Sequence, residues 1–267
     1  MPNADDPFAI QGPALISFSG GRSSAYMLYR ILQAHGGTLP DDVHVTFQNT
    51  GKEMPQTLDF VHACSERWGV EIVWLEEGWQ RVDYLTAARN GEPYDRLIRK
   101  RNALPSPAMR LCTIGLKIKP MEGYAKSLGW QTWDNVLGLR ADEPRRVARM
   151  LDGYRMPLAT AGITKADVMH FWARNDFDLD ILPGQGNCDL CFLKSAATIQ
   201  GVMRDVPGSA DWWIKAESTP LKSKPHGARF RNDRPSYAAM LKAVQDQNAF
   251  DFGDADEMND CFCGEPS

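Results

Sequence analysis

Apolar, β-branched runs alternate with helix-period segments through the first half of the chain. ALISF (14–18), VHVTF (43–47) and VEIVWL (70–75) read as strands, and the spacing of apolar positions between them predicts a helix from about Ser24 and another over 55–68. Parallel strands need crossover connections, so this β-α-β-α-β order predicts an open parallel sheet with helices on both faces. A further strand is expected in DNVLGLR (134–140), after a helix that starts near Pro120. Beyond residue 150 the pattern loosens. TKADVMHFWARND (164–176) predicts a helix capped by Thr164, and SYAAMLKAVQDQ (236–247) predicts another. The last stretch, DFGDADEMNDCFCGEPS, is polar and reads as a mobile tail. The expected organisation is an α/β domain over 1–150 and an irregular, cysteine-containing extension over 151–267 packed on the first.

Composition narrows the class. The 267 residues are 43% hydrophobic and 24% charged with a formal charge of -4, which gives ample material for a buried core. No run approaches the roughly eighteen apolar residues of a membrane span, and the opening MPNADDPFAIQGP lacks the basic and apolar regions of a secretory signal, so a cytoplasmic protein with no membrane partner is expected. In that reducing setting the six cysteines read as metal ligands or reactive thiols rather than disulfides. The mild acidity argues against a sequence-blind coating of nucleic acid, while leaving room for a local basic groove. Two stretches, RLIRKRNALPSPAMR (96–110) and LKSKPHGARFRNDR (221–234), have spacings that suit a phosphate, a sulfate or a nucleic-acid backbone; the plainer reading of each is solvated surface.

The candidate chemistry begins at the corner after the first strand, ISFSGGRSS (16–24). A Ser/Gly-rich turn from a parallel strand into a helix is where open sheets bind ligands, and the free N–H groups of the helix start favour anions. Gly20 and Gly21 let backbone N–H groups approach a phosphate, Ser19, Ser23 and Ser24 add hydroxyl donors, and Arg22 adds a cation. The alternative is a helix cap with glycines serving a tight turn. No Gly-Lys-Ser/Thr follows, so this is not the Walker pattern.

Ser19-Gly20-Gly21-Arg22-Ser23-Ser24 resembles the Ser-Gly-Gly-x-x-Ser loop of the PP-loop ATP pyrophosphatases (the HUP-type, adenine nucleotide alpha hydrolase-like superfamily). Three further segments resemble the phosphoadenylylsulfate (PAPS) reductase-like family within it: NTGKEMPQTLDFV (49–61), CTIGLKIKPM (112–121) and GLRADEPRR (138–146). The resemblance implies a five-stranded parallel sheet holding an adenine nucleotide, with Asn49, Thr50, Gly51, Arg140 and Glu143 joining the loop at the strand ends and Arg140 also acting in catalysis. Many pyrophosphatase loops carry Lys-Asp where Arg22-Ser23 stands here, which keeps the cation but removes a carboxylate that would help hold Mg2+. The double glycine leans toward ATP rather than PAPS or its unphosphorylated relative APS.

GNCDLCFLKS places Cys188 and Cys191 at Cys-x-x-Cys spacing, which by itself admits structural zinc, a redox dithiol or a share in a cluster. The resemblance adds Cys112, one of the pair that precedes the basic-proline segment in iron-sulfur members, and implies a 4Fe-4S cluster held by Cys112, Cys188 and Cys191. Cys261 and Cys263 in DCFCGEPS resemble the nucleophilic Glu-Cys-Gly tail of PAPS reductases, although Glu265-Pro266 replaces the usual continuation; incidental tail thiols are the alternative. Cys64 lies in the apolar register of the second helix and is expected in the core.

Three functions follow as expectations. In the first, ATP adenylates an acceptor, tRNA, DNA or a small molecule, and sulfur from a donor displaces AMP. In the second, PAPS or APS meets a tail thiolate and a thioredoxin-like thiol reductant releases sulfite. In the third, the chain is a non-enzymatic nucleotide- or cluster-binding module.

Overall fold

The computed structural model describes residues 6–150, 153–182, 185–186 and 188–246. Five strands run parallel: β1 (Ala14–Ser17), β2 (Val43–Gln48), β3 (Ile72–Glu76), β5 (Asp134–Leu137) and β6 (Tyr154–Arg155). β4 (Gln80–Val82) joins antiparallel to β3 at one edge, giving the order β4-β3-β2-β1-β5-β6. This is the open, mostly parallel α/β sheet that the hydrophobic pattern predicts. The β4 hairpin was not legible, since its first two residues are exposed and its turn uses Gly78 and Trp79 at positive φ.

Alternation along β1 sorts the two faces. Ala14 and Ile16 join a cluster with Met27, Leu28 and Ile31 of α1 (Arg22–Ala34), while Leu15 joins Val73 and Leu75 on the opposite side. α2 (Pro55–Trp68) packs on the first face through Leu58 and Val61. The second-face cluster is completed by Met121, Tyr124 and Ala125 of α4 (Lys119–Ser127), which follows α3 (Glu92–Arg101) and a π-helical turn at Thr113–Ile118. Helix thus begins before Pro120, and the wider turn preceding that proline spares it a clash with the carbonyl four residues back.

α5 (Pro144–Arg149) and α6 (Pro157–Thr160) lead to α7 (Lys165–Trp172). Thr164 caps α7 as expected: Thr164 and Asp167 form a capping box, each side chain bonding the other's backbone N–H. Trp172, buried on the first face, donates from Nε1 to the Arg22 carbonyl at 3.0 Å. α8 (Ala196–Asp205), α9 (Asp211–Ser218) and α10 (Tyr237–Gln245) follow, and the Ser236 hydroxyl caps α10 by accepting from Ala239 N.

Two compact units are made from interleaved stretches, 1–48, 55–87 and 120–181 in one, and 49–54, 88–119 and 182–267 in the other. Both take chain from either side of residue 150. The first holds the sheet. The core of the second is aromatic: Trp213 stacks on Tyr237 at 5.1 Å and meets Phe230 at 5.0 Å, all three buried. Among the described residues no helix is long and apolar enough to cross a membrane.

Candidate functional site

In the sheet unit the corner after β1 is built by close approaches. Gly20 has φ +75°, and a Cβ there would sit 2.6 Å from Thr57 Cγ2, so glycine is required by the protein itself. Gly21 differs. It is the N-cap of α1 in extended conformation, and a Cβ on it would meet nothing closer than Ser19 Oγ at 3.6 Å. Among the described residues no side chain caps the first turn of α1, and no carboxylate lies in that turn, an arrangement that favours an anion there. The Ser24 hydroxyl donates to the Gly21 carbonyl at 2.9 Å, accepts from Ser19 N at 3.2 Å and lies 3.0 Å from Ser19 Oγ, pinning the loop.

The motif after β5 reaches the same corner. Arg140 donates to Ser23 Oγ at 2.9 Å and to Asp142 at 2.9 Å, and it lies 3.3 Å from the Glu143 carboxylate. Glu143 in turn accepts from Arg140 N and pairs with Arg146. Gly138 permits this junction, since a Cβ there would come within 2.9 Å of Ser24 Cα. Ser19 to Ser24, Arg140 and Glu143 are therefore brought together. Arg22 is turned elsewhere: its guanidinium forks onto Asp178 at 2.7 and 2.9 Å and donates to the Leu179 carbonyl.

Asn49, Thr50 and Gly51 belong to the second unit, where they stand with the cysteines. Asn49 shapes the turn by accepting from Gly51 N and donating to the Ala88 carbonyl. Thr50 Oγ1 donates to Glu53 at 2.8 Å and lies 3.5 Å from Cys188 Sγ; Glu53 and Cys188 form an antiparallel bridge. The Tyr94 hydroxyl is 3.8 Å from Cys188 Sγ and shares a hydrogen bond with the Cys112 thiol, and Cys191 N donates to the Cys188 carbonyl at 3.4 Å. Two thiols, Cys112 and Cys188, thus meet one buried phenol, and Cys191 follows in the same turn as Cys188. Cys188 and Cys191 are buried, Cys112 is half-buried, and none is in a disulfide.

Burial governs this cluster. It pushes the Cys112 thiol above its ordinary range against the pull of the Tyr94 hydrogen bond and the Lys117 charge, and it pushes the Tyr94 phenol well up as well. Glu53 is raised for the same reason, opposed by Lys117 and by the two hydrogen bonds from Thr50. The Cys188–Cys191 turn is fixed from outside: Asp189 accepts from Trp213 Nε1 at 2.8 Å and pairs with the buried Lys52 at 2.8 Å. Cys64, by contrast, is wholly buried in the sheet unit with its thiol pushed up by desolvation, as core placement predicts.

Among the described residues no group of three or more His, Cys, Asp or Glu side chains is arranged to hold a single metal ion. Cys112, Cys188 and Cys191 nevertheless lie in the same unit and offer the soft donors that iron-sulfur centres take. Tyr94, Lys52, Glu53, Lys117 and Asp189 were missed from sequence. Lys52 and Glu53 stood inside the quoted Asn-Thr-Gly segment and could have been flagged as charges in an apolar setting, whereas Tyr94 carries no motif. Cys261 and Cys263 lie outside the described residues.

The family model for the phosphoadenosine phosphosulfate reductase domain matches residues 13–151, spanning the loop, the Asn-Thr-Gly turn, Cys112 and the Arg140 motif. The chain belongs to that family. As a member of the PAPS reductase domain family it is similar to an uncharacterized nin region protein of Escherichia phage lambda, 30% identical over 208 residues that make up 73% of this chain and 70% of the phage protein. It is also similar to an uncharacterized protein of Methanocaldococcus jannaschii, 27% identical over 117 residues, which are 43% of this chain and 20% of the archaeal one. The PAPS reductase model ends before Cys188 and Cys191, so the thiol set draws one member from inside the matched region and two from beyond it.

Proposed function

We propose that the protein is an ATP-dependent sulfur-transfer enzyme of the PAPS reductase-like family. The observation that carries this reading is that Cys112 and Cys188 both meet the buried Tyr94 hydroxyl while Cys191 shares the Cys188 turn, thiols in the folded body that need no tail residue. The Ser19–Ser24 corner binds the nucleotide phosphates through the uncapped N–H groups of α1, and Gly21 leaves room for them. An oxygen of the acceptor attacks the α-phosphorus, the bond to the β-phosphate breaks, and pyrophosphate leaves. A sulfur nucleophile then adds at the activated carbon and AMP departs with the oxygen. Charge building on the phosphates is met by fixed N–H dipoles and by Arg140, already held against Ser23. Cys112, Cys188 and Cys191 would hold a 4Fe-4S cluster, which supplies an open iron able to carry a sulfide. Tyr94 and Thr50 keep the Cys188 sulfur in a defined orientation.

The family match favours a second reading, reduction of PAPS or APS to sulfite, with Cys263 or Cys261 as the attacking thiolate. Anaerobic purification, iron and sulfide analysis and product assays separate the two. The first reading expects about four irons per chain, absorbance at about 400 nm and conversion of ATP to AMP and pyrophosphate. Iron-free protein that makes sulfite from PAPS overturns it, as does a Cys188→Ser variant that keeps full iron and activity.

A further inference from the structure

The two basic stretches, more than a hundred residues apart in sequence, are brought together in the second unit. α3 ends in exposed Arg99 and Arg101, and Asn102, which caps its C-terminus in the left-handed region, accepts from the backbone N–H of Lys222 at 3.0 Å. Lys222 starts a tight turn closed by paired Leu221 and Lys224 backbone bonds, and Lys224, His226 and Arg229 then line a cleft of about 380 Å³ together with Asn232 and Ser236. Lys222, Lys224, His226 and Arg229 are all exposed.

A solvated charged face would ordinarily be laced with carboxylates. Here the neighbouring acids are occupied in holding the fold. Asp95 accepts from Trp212 Nε1, Asp233 is taken by Arg231, and Glu217, which lines the cleft, accepts from the backbone N–H groups of Phe230 and Tyr237. Arg99, Arg101, Lys222 and Lys224 have no carboxylate partner among the described residues. In a chain of net charge -4 this is a local concentration of unspent positive charge.

The surroundings also say what kind of polyanion fits. Every described Phe, Tyr and Trp ring of this unit, Tyr94, Phe192, Trp212, Trp213, Phe230 and Tyr237, is buried, so apart from the small His226 imidazole no platform for stacking unpaired bases is offered. No large apolar side chain of the Lys222–Ser236 stretch is exposed to anchor a protein partner. Cations, an imidazole, an amide and a hydroxyl suit phosphodiester oxygens spaced along a strand. We infer that the Arg99/Arg101 helix end and the Lys222–Arg229 cleft form one binding face for the backbone of double-helical nucleic acid. As the acceptor side of sulfur transfer this face rests on the function proposed above; as a binding surface it stands without it.

The test is fluorescence anisotropy of the full chain with a labelled DNA duplex of about 20 base pairs and an RNA hairpin of the same paired length, titrated from about 50 to 200 mM salt. Wild type should bind at least one, with affinity falling at least tenfold across the range. Arg99→Glu/Arg101→Glu and Lys222→Glu/Lys224→Glu should each weaken binding at least tenfold and reduce the log-log salt slope by about two, with unchanged melting temperature. No binding at the low-salt end overturns the inference. So do charge-reversed variants that bind like wild type, or poly-glutamate that binds as tightly at equal charge. ATP conversion to AMP and pyrophosphate is measured in parallel: binding without AMP formation sinks the proposed chemistry and keeps the face, and AMP formation without binding does the reverse.

Discussion

Gly20 and Gly21 stand side by side and do different work. Gly20 is held at positive φ against Thr57, so Gly20→Ala should cost about 1 to 2 kcal/mol of stability, seen in denaturant melts. Gly21→Ala has room within the protein and should melt like wild type, yet weaken ATP binding at least tenfold by placing a methyl where phosphate approaches; equal nucleotide affinity measured by calorimetry would refute the corner as the phosphate site. That the pair marks a turn was legible from local sequence. Which glycine serves the fold was not, because Thr57 reaches Gly20 from another element. The same distinction explains Arg22, whose cation the motif offered to a ligand and which the fold spends on Asp178. Tyr94 was illegible for a similar reason: its meaning lies in sulfurs that follow it in sequence by up to about a hundred residues.

At the level of elements, strands β1, β2, β3 and β5 and the capped α7 were readable because burial pattern and capping are local signals. The β4 hairpin, the two-residue β6 and the π-helical turn behind Cys112 were not, since each is set by the neighbour it joins. The Cys188–Cys191 turn depends on the buried Lys52–Asp189 pair. Asp189→Asn leaves a buried ammonium without its counter-charge and should cost about 3 kcal/mol, whereas Lys52→Met/Asp189→Asn, in which the amide oxygen still accepts from Trp213 Nε1, should recover most of that loss; a double-mutant cycle in chemical melts checks it. Glu217 gives a pH test of the α9–α10 connection. Burial raises its carboxyl above the ordinary value, so the folded chain holds that proton more tightly than the unfolded one. Stability contributed by Glu217 is therefore fully present below its unfolded pKa and is lost as pH rises through the folded one. The melting-temperature difference between wild type and Glu217→Gln should shift against wild type over that rise, and a pH-independent difference would contradict it.

Across the whole molecule the family and the parallel sheet were apparent from four ordered motifs, while the meeting of Cys112 and Cys188 at Tyr94 could be seen only in the fold. Removing residues 255–267 takes away Cys261 and Cys263. The sulfur-transfer reading expects the shortened chain to keep ATP cleavage within about twofold, and the reductase reading expects it to lose sulfite production entirely; parallel AMP and sulfite assays decide.

The backbone passes between the two units at 48–49, 54–55, 87–88, 119–120 and 181–182. No single cut in the gene can therefore hand over either unit intact. A recombination event that exchanged only the end of the coding sequence would bring a foreign Cys188 and Cys191 to a resident Thr50, Tyr94 and Cys112, and the thiol set would have to match across that seam. The corner after β1 and the residues around the cysteines are thus tied together in inheritance by the path of the chain.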